Sequence, residues 1–477
     1  MGNQYIIGID GGTQSSKVVI FDLEGNVVCE GKEDLKPLSL PRQGVVEHPE
    51  DDLWDSLVLA SKEAMQKFPG NTEEIIGLGL CTIRCCRALL KEDGTLAAPV
   101  MSWMDERLSR PYEHEIPAVK YVTTSSGYIT HRLTGEFVDT AANYEGPWPL
   151  DKDTWQWSED PEVIRKFKVP RKMLFNLQKP GSIAGYITEN AAATTGLPAG
   201  IPVAITANDK AVEALGAGLL PGNTALISLG TYIASMVHGH ENIEGAKHFF
   251  TNLAAVPDKY LYESEGIRRG MWTVSWMIDL LGEVVVQKAG SMGIPTEKYL
   301  DMKGSEVPAG SDGLMTILDW LAPPDEPYKK GMFIGFDGRH TGSHMYRSIL
   351  EGTALTMKNN LDAMCIELDL ELENIIVSGG GSNGDLFMQI FADAFNLPAC
   401  RNVVNSAAGM GSAICAAMAT GIYSHHEEAI NNMVKIRDQF DPDKDNVELY
   451  NRMNEEVYKK IPSFMDQVLK KSYPIFG

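Results

Sequence analysis

The sequence predicts an α/β protein of two domains with mixed sheets. The chain has 477 residues, which is more than a single hydrophobic core usually serves. In the N-terminal half, the residue patterns of a strand, a hairpin, an amphipathic helix and a buried strand follow one another. The C-terminal half repeats this theme with different residues. We therefore expect two similar lobes, residues 1–245 and residues 246–477, with a cleft between them.

The N-terminal half begins with an apolar strand at residues 5–10 and a hairpin at residues 17–31. Apolar side chains recur with helical spacing at residues 49–68, and residues 74–83 predict a buried strand. The glycine turn after the first strand opens the hairpin. A dinucleotide-binding Rossmann unit needs its glycines to open a helix, so the pattern argues against an NAD-dependent dehydrogenase.

The C-terminal half carries another strand, turn and strand at residues 223–237. Residues 374–398 predict a strand, a glycine turn and an amphipathic helix, and residues 407–421 predict a small-residue helix that ends at a glycine. A Met- and Trp-rich amphipathic helix is expected at residues 265–283. We expect it to pack in the core or between the lobes, with substrate contact by Trp272 as the alternative.

The charge of the chain limits its partners. Its net charge is −22, which repels nucleic acid and anionic membrane surfaces, and no local basic patch overrides it. We therefore expect neither nucleic acid nor a membrane as a partner. A chain this acidic needs backbone N–H groups, a bound cation and a few basic side chains to hold a polyanion such as ATP.

The cysteines and the N-terminus predict a cytoplasmic protein. The seven cysteines are scattered and have no CxxC spacing, which argues against a disulfide framework or a zinc site. The N-terminus enters a strand without a basic segment and apolar run, and no stretch of about 18 apolar residues occurs.

The turn at residues 10–17 is a candidate phosphate loop. Its glycines let backbone N–H groups converge on phosphate oxygens, and its hydroxyl and ammonium groups add donors. Asp10 is a candidate ligand for hydrated Mg²⁺. A hairpin without a ligand explains this turn equally well when it is taken alone. The candidate nucleotide-binding residues here are Gly12, Thr13, Gln14, Ser15 and Lys17.

A second Gly-Thr turn, Gly230 and Thr231, lies between two strands of the other half. A single turn of this kind is more often a hairpin than a binding site. Two in matched contexts favour a phosphate clamp with one side from each half.

The segment at residues 377–389 contains three consecutive glycines. Such a run costs conformational entropy and packs no side chain, so it indicates a ligand or a close backbone approach, with a flexible loop as the alternative. Gly380, Gly381 and Asn383 are the candidate nucleotide-binding residues of this segment.

Asp209 follows an apolar run and precedes a predicted helix. It is either the N-cap of that helix or a general base that accepts a proton from an attacking hydroxyl group. The spacing does not choose between these roles.

Arg84, Trp103 and Asp105 combine a planar donor, an indole face and a carboxylate, which suit a polyhydroxylated substrate. A surface ion pair and a core tryptophan explain them about as well.

With these segments in this order, the chain resembles the FGGY family of carbohydrate kinases, within the superfamily of actin, the heat-shock chaperone ATPases and the sugar kinases. The resemblance covers about residues 4–460. It implies two actin-like (ribonuclease H-like) domains that flank a central cleft for ATP and substrate. The pair Glu351 and Gly352 also matches the family's signature in the second lobe.

The resemblance also implies roles for the candidate residues. Residues 10–17 match the first phosphate loop, Gly230 and Thr231 match the second, and residues 378–389 match a segment that lies against the adenosine. Asp209 matches the base. The implied reaction is transfer of the γ-phosphoryl group of ATP, with Mg²⁺, to a hydroxyl group of a sugar or polyol.

Two departures from the family pattern bear on the substrate. Many sugar-specific relatives carry a Gln-Met-His-Gly-like run at residues 83–86, whereas Arg84 is like the arginine of glycerol kinases and is followed by Cys85 in place of their glutamate. The interval at residues 105–131 is also shorter than expected, because the family usually has a helical segment there.

The leading hypothesis is a kinase of a small open-chain sugar or polyol, with a pentulose such as xylulose first and glycerol or a tetritol second. A nucleotide-sensing or scaffold protein with the same clamp and no phosphorylation is the rival from another class. For the oligomeric state, a homodimer is an expectation that the sequence leaves open.

Overall fold

The computed structural model describes residues 4–144, 146, 148–323 and 325–476. Its N-terminal lobe is built on a six-stranded mixed sheet and its C-terminal lobe on a seven-stranded mixed sheet. The predicted α/β class with two mixed sheets is thereby confirmed. No helix among these described residues is both long and apolar enough to cross a membrane.

The strands of the N-terminal lobe are β1 (Tyr5–Gly11), β2 (Ser15–Asp22), β3 (Val27–Asp34), β4 (Ser39–Arg42), β5 (Val45–Glu47), β6 (Ile75–Thr82), β7 (Ala88–Leu90), β8 (Tyr121–Thr123), β9 (Val138–Asp139), β10 (Leu150–Asp151), β11 (Gln156–Trp157), β12 (Asn176–Leu177), β13 (Ile183–Tyr186) and β14 (Pro202–Ala204). Its α-helices are α1 (Asp52–Lys67), α2 (Ser125–Thr134), α3 (Pro161–Phe167), α4 (Glu189–Thr195) and α5 (Asp209–Gly216).

The strands of the C-terminal lobe are β15 (Thr224–Leu229), β16 (Ile233–Gly239), β17 (Phe249–Leu253), β18 (Tyr260–Ser264), β19 (Met315–Ile317), β20 (Met332–Ile334), β21 (Asn374–Ser378), β22 (Ala399–Asn402) and β23 (Ile436–Phe440). Its α-helices are α6 (Trp272–Leu281), α7 (Glu283–Ser291), α8 (Thr296–Ser305), α9 (Gly342–Leu368), α10 (Asp385–Phe395), α11 (Ala407–Ala419), α12 (His426–Met433), α13 (Lys444–Glu456) and α14 (Ile461–Phe476). Short 3₁₀ helices lie at Thr72–Glu74, Glu106–Ser109, Ala141–Asn143, Arg171–Met173, Ser311–Gly313, Gly380–Asn383 and Tyr458–Lys460.

The N-terminal sheet has the order β13-β14-β6-β1-β2-β3. The predicted hairpin is β2 and β3, and β1 pairs antiparallel with β2 and parallel with β6. Both faces of β1 are covered, since Ile7 and Ile9 share a core cluster with Leu57 of α1, whereas Ile6 belongs to the cluster that contains Ile414 of α11. Coverage on both faces explains why this strand is a continuous apolar run.

The C-terminal sheet has the order β17-β18-β16-β15-β21-β22-β23. Its first hairpin, β15 and β16, ends before residue 245, so the lobe boundary that we expected there falls inside the second sheet. The reason is that this hairpin pairs with β18 and β21 of the C-terminal lobe, just as β1 and β2 pair within the N-terminal lobe. The change from one sheet to the other occurs between β14 and β15.

Where the two lobes meet, each lobe contributes a helix that packs on the sheet of the other lobe. Helix α5 follows the last strand of the N-terminal lobe, but its Ala214 clusters with Leu226 and Met236 of the C-terminal sheet. Helix α11 belongs to the C-terminal lobe by sequence and packs on β1 and β6 of the N-terminal sheet. The two helices also contact each other, so each lobe supplies part of the other's core.

Glycines bring these backbones into contact. A Cβ atom added to Gly216 of α5 would lie 1.9 Å from the carbonyl oxygen of Ala407, and one added to Gly8 of β1 would lie 1.9 Å from that of Gly409. Gly8 and Gly216 are both buried, and so are most residues of α11. These glycines are therefore needed for close approach rather than for a special dihedral angle.

We predict that Gly8→Ala destabilises the protein by about 2–3 kcal/mol, because the methyl group forces α11 away from the sheet. Gly290→Ala is the control, since a Cβ atom there meets nothing within 4 Å; it should change the stability by less than about 1 kcal/mol. Urea unfolding of both variants measures the difference. Equal stabilities would contradict the close packing of α11 on β1.

Candidate active site

Two cavities of similar size lie between the lobes. The first has a volume of about 630 Å³ and contains Asp209, and we call it the Asp209 cavity. The second has a volume of about 640 Å³ and is lined by the glycine segment at residues 380–384, and we call it the glycine-loop cavity. Thr231 lines both cavities. Ligands in the two cavities would therefore meet beside the second Gly-Thr turn.

Asp209 is the first residue of α5, and its carboxylate faces the Asp209 cavity. The N-cap of this helix is Asn208, whose side-chain oxygen accepts the N–H group of Ala211 at 3.0 Å. The N-cap role that we considered for Asp209 thus belongs to its neighbour. Asp209 Oδ1 accepts the N–H group of Lys210 at 3.0 Å, and the residue lines the Asp209 cavity, where its carboxylate can act on a substrate.

Glu213, one helical turn beyond Asp209, anchors α5 to the C-terminal sheet. Its carboxylate accepts hydrogen bonds from the hydroxyl groups of Ser228 on β15, at 2.8 Å, and Ser378 on β21, at 2.9 Å. It also forms an ion pair with Lys210 at 3.0 Å, and Lys210 donates to the Ser228 hydroxyl group. The sequence analysis missed Glu213 and Lys210, although their spacing from Asp209 on a predicted helix was a usable signal.

Burial, together with the charges of Asp209 and Glu213, raises the pKa of Asp10 to about 7, against the opposing effect of Lys17 and Lys210. Burial likewise raises the pKa of Asp209, which the nearby charges of Arg84 and Lys210 lower. Three carboxylates therefore share a small, partly desolvated volume. Such an arrangement favours a bound cation.

A magnesium ion that is held partly by phosphates fits this arrangement. Among the described residues, no group of three or more His, Cys, Asp or Glu side chains could hold a metal ion on its own. Mg²⁺ usually takes one or two carboxylates and completes its shell with water and substrate phosphates. Asp10, at the end of β1 beside the Asp209 carboxylate, suits that role.

Arg84, a predicted substrate residue, lines the Asp209 cavity. Its guanidinium group donates two hydrogen bonds of 2.7 Å to Glu263 on β18, and Asn252 on β17 donates to the same carboxylate at 2.8 Å. Glu263 is fully buried. This fork joins the lobes at the cavity wall and fixes the orientation of Arg84. The sequence analysis missed Glu263 and Asn252, which lie in strands without a recognisable motif.

The other two predicted substrate residues, Trp103 and Asp105, lie in different places, and one of them lines the Asp209 cavity. Trp103 lines the Asp209 cavity and is 38% exposed, as expected for a ligand-facing indole. Asp105 does not line it. Its carboxylate accepts the N–H groups of Val46 and Arg107 and forms an ion pair with the Arg107 guanidinium group. The predicted substrate role of Asp105 is therefore replaced by a structural one, because both of its oxygens are used within the fold.

Some of the predicted residues in the first Gly-Thr turn, residues 10–17, line the cavities and others do not. Thr13 lines the Asp209 cavity and Gln14 lines the glycine-loop cavity. Gly12 and Ser15 close the turn, since the Gly12 N–H group donates to the Ser15 carbonyl oxygen at 2.9 Å. The Gly12 N–H group is therefore committed to the hairpin rather than directed at a phosphate.

Lys17 is directed away from both cavities. It lies on β2, its ammonium group forms an ion pair with Glu30 at 2.8 Å, and it lines a separate groove with Asn26 and Lys435. Lys17 lies opposite Asp10 in the β1–β2 pairing and therefore on the same face of the sheet, but its ammonium group is taken by Glu30 on β3, and it is not among the residues that line the two cavities. Its charge still acts on the site by lowering the pKa of Asp10.

The second Gly-Thr turn and the glycine triplet meet in the glycine-loop cavity. The predicted nucleotide-binding residues Gly230, Thr231, Gly380, Gly381 and Asn383 all line it. Gly379 has a φ of +89°, and a Cβ atom there would lie 2.5 Å from the Leu229 carbonyl oxygen. Close packing against β15 therefore explains why residue 379 is a glycine. A Cβ atom at Gly380 would meet nothing within 4 Å, so this glycine is open to the cavity.

The far wall of this cavity combines apolar and charged side chains that the sequence analysis did not identify, apart from Trp272, whose ligand contact we considered as an alternative. These residues are Met271, Trp272, Glu297, Lys298, Asp301, Tyr346 and Phe387. The predicted helix at 265–283 is shorter than expected and begins at Trp272.

Comparison with known proteins identifies related kinases. The model of the N-terminal domain of the FGGY family of carbohydrate kinases matches residues 5–116 and 108–216, and that of the C-terminal domain matches residues 225–420. The chain is 54% identical over 475 residues to the uncharacterized sugar kinase YgcE of Escherichia coli (strain K12), covering 100% of this chain and 96% of that protein.

Solved structures share the fold. The xylulose kinase from Rhodospirillum rubrum aligns with a TM-score of 0.81 at 22% identity, and the gluconate kinase from Lactobacillus acidophilus with a TM-score of 0.83 at 18% identity. Each alignment covers 98% of this chain and 100% of the other. The predicted two-lobed fold is confirmed by these alignments.

The two segments of the N-terminal family match overlap at residues 108–116. This point lies in the interval that the sequence shows to be short. From residue 110 to residue 120 the chain contains no helix or strand. Within the interval at residues 105–131, this loop therefore connects the 3₁₀ helix at Glu106–Ser109 with β8.

We predict that Asp10→Asn stabilises the metal-free protein at pH 8. A carboxyl group whose pKa is raised from 3.8 to about 7 disfavours the folded state once it is ionised, so the cost is full above pH 7 and disappears below pH 4. The melting temperature of the variant should therefore exceed that of the unchanged protein at pH 8, and the gap should narrow as the pH falls towards 4. A gap that widens on acidification would contradict the raised pKa.

We predict that Glu263→Gln lowers the free energy of unfolding by about 3 kcal/mol, because it breaks a buried ion pair between the lobes. Asp34→Asn is the matched control, since Asp34 pairs with Lys32 on the surface; its loss should cost less than about 1 kcal/mol. Urea unfolding compares the two. A similar cost for both variants would rule out the Arg84–Glu263 fork as a structural link.

Proposed function

Because the chain belongs to the FGGY family of carbohydrate kinases, we propose that it transfers the γ-phosphoryl group of MgATP to a hydroxyl group of a small open-chain sugar or polyol. A pentulose such as xylulose is the first candidate. The observation that carries the proposal is that two cavities of similar size meet at Thr231, with Asp209 on one side and the glycine turns on the other.

The two cavities divide the substrates between them. The glycine-loop cavity takes the nucleotide, because open glycines allow phosphates to approach the backbone and the apolar far wall suits a planar base. The Asp209 cavity takes the sugar. Its volume of about 630 Å³ accommodates a five-carbon substrate, and Arg84, Asn252 and Trp103 offer donors and an indole face to hydroxyl groups.

Asp209 acts as the general base. Its carboxylate accepts the proton of the substrate hydroxyl group while that oxygen attacks the γ-phosphorus atom, and the bond from phosphorus to the β,γ-bridging oxygen breaks to release ADP. Burial raises the pKa of this carboxylate, and the nearby charges of Arg84 and Lys210 lower it and so favour the ionised form. Lys210 also places a positive charge beside the phosphoryl group in transfer.

Asp10 would hold the magnesium ion, whose chemistry is to neutralise the phosphate oxygens as charge shifts towards the leaving group. Thr13 and Thr231 flank the point of transfer and donate hydroxyl or backbone hydrogen bonds to the phosphates. The closeness of Asp10, Asp209 and Glu213 explains why the site needs this cation.

Glycerol or a tetritol is the second candidate for the substrate, and Arg84 is the residue that favours it through its likeness to the arginine of glycerol kinases. A non-catalytic nucleotide sensor is disfavoured because Asp209 is not used as a helix cap. A cytoplasmic location and a homodimeric state stay predictions.

The test of the base is Asp209→Asn. We expect kcat to fall by about 10²–10⁴-fold, since the amide cannot accept the proton, while the affinity for ADP stays within a few-fold. Coupled measurement of ADP formation gives the rate, and calorimetry gives the affinity. Asp105→Asn is the control, because Asp105 is a buried aspartate that lies outside both cavities. Full turnover by Asp209→Asn would reject this residue as the base.

The test of the substrate is ADP release with MgATP across pentuloses, hexuloses, pentitols, tetritols, glycerol and gluconate. A single strongly stimulated pentulose supports the first candidate, and stimulation by glycerol or a tetritol supports the second. If ADP binds and no member of the panel stimulates turnover, the sensing role replaces the kinase role.

A further inference from the structure

Glu213 of α5 forms one hydrogen bond to each of two neighbouring strands of the C-terminal sheet. Its Oε1 atom accepts the hydroxyl group of Ser378 on β21 at 2.9 Å, and its Oε2 atom accepts that of Ser228 on β15 at 2.8 Å. Ser228 and Ser378 are register partners at the end of the parallel pairing of these strands. A single carboxylate therefore holds both strands at the same level of the sheet.

The two serines lie immediately before the glycine turns of the site. The second Gly-Thr turn begins two residues after Ser228, and the glycine triplet directly follows Ser378. Both turns line the glycine-loop cavity. Asp209, which lies four residues before Glu213 on the same helix, lines the other cavity. Glu213 therefore connects the helix of the candidate base with both turns of the candidate nucleotide site.

The charge of Glu213 is balanced within the fold. Burial raises the pKa of Glu213, but the charge of Lys210 and the hydrogen bonds from Lys210 and the two serines lower it below its ordinary value. Both carboxylate oxygens have partners, and neither Glu213 nor the two serines are among the residues that line the two cavities. Any effect of Glu213 on a reaction in the cleft is therefore one of position and not of contact with a substrate.

Stability alone does not account for this arrangement. Helix α5 is already held on the C-terminal sheet by Ala214, which packs with Leu226 and Met236. A buried ion pair contributes little net stability once the loss of its hydration is counted. Hydrogen bonds are directional, whereas apolar contacts are not. What Glu213 adds is therefore a fixed rotation and height of α5 relative to the two strands.

We propose that Glu213 is a positioning residue for phosphoryl transfer, which holds the Asp209 carboxylate at a fixed distance from the two glycine turns. The inference rests on the proposed function, which makes Asp209 the base and assigns the phosphates to these turns. The attacking oxygen and the phosphorus atom react when they lie about 3–3.5 Å apart and in line, and a displacement of about 1 Å lowers the rate roughly 10²-fold.

The test is the kcat of Glu213→Ala, measured as ADP formation from MgATP with xylulose, or with the fastest member of the panel if xylulose gives no rate. We expect kcat to fall about 10²-fold, because α5 loses its bonds to both strands. The dissociation constant for ADP, measured by calorimetry, should stay within a few-fold, since Glu213 lines neither cavity. Glu213→Gln should exceed Glu213→Ala in kcat by about tenfold or more, because the carboxamide keeps the length and can bond both hydroxyl groups.

Asp393→Ala is the matched control. Asp393 is a buried carboxylate on α10 that accepts the N–H group of Asp443 and the side-chain amide of Asn446, each at 2.8 Å, and it lines neither cavity. This variant should lose stability in urea and keep kcat within a few-fold. If Glu213→Ala does not fold, Ser378→Ala provides the second variant, and the loss of its one hydrogen bond should lower kcat about threefold to tenfold.

The outcomes separate this inference from the proposed function. If Glu213→Ala loses stability but keeps kcat, Glu213 only anchors the helix and the inference is overturned. It is also overturned if the affinity for ADP falls more than about tenfold with kcat unchanged, or if Asp393→Ala lowers kcat as much as Glu213→Ala does. If the unchanged protein turns over no member of the panel, the proposed function itself fails and this inference falls with it.

Discussion

The close crossing of α5 and α11 is the constraint on which the site depends. Each helix packs on the sheet of the opposite lobe, and glycines at Gly216 and Gly411 remove the side chains that would separate the two backbones. Asp209 and Glu213 are carried on α5, so the same packing that joins the lobes also places the carboxylates. A small shift of this helix pair would move the candidate base and the floor of the cleft together.

The site concentrates negative charge and compensates it with internal partners. Glu213 is held by two serines of the C-terminal sheet and by Lys210, and Glu263 is held by Arg84 and Asn252. These contacts link the lobes at two points of the cleft. Burial raises the pKa of both Asp10 and Asp209, so a cation beside them would offset the cost of their charges. An acidic chain can therefore handle a polyanion if a metal ion completes the site.

The differences between expectation and structure have a common physical cause. Lys17, Asp105 and Gly12 were assigned to ligands by residue type, but their polar groups are used within the fold by Glu30, Arg107 and Ser15. A sequence motif shows which polar groups are present. It does not show whether a neighbouring residue already forms a hydrogen bond or ion pair with them.

The sequence by itself determined the α/β class, the paired Gly-Thr turns, the glycine segment and Asp209 as a candidate base, because these features depend on local periodicity and on residues that few other contexts require. Only the tertiary structure decided the lobe boundary, the exchange of α5 and α11, and the partners of Arg84. It also separated cavity residues such as Thr13 and Trp103 from structural residues such as Asp105. The reason is that these properties arise from contacts between distant segments, which local patterns do not record.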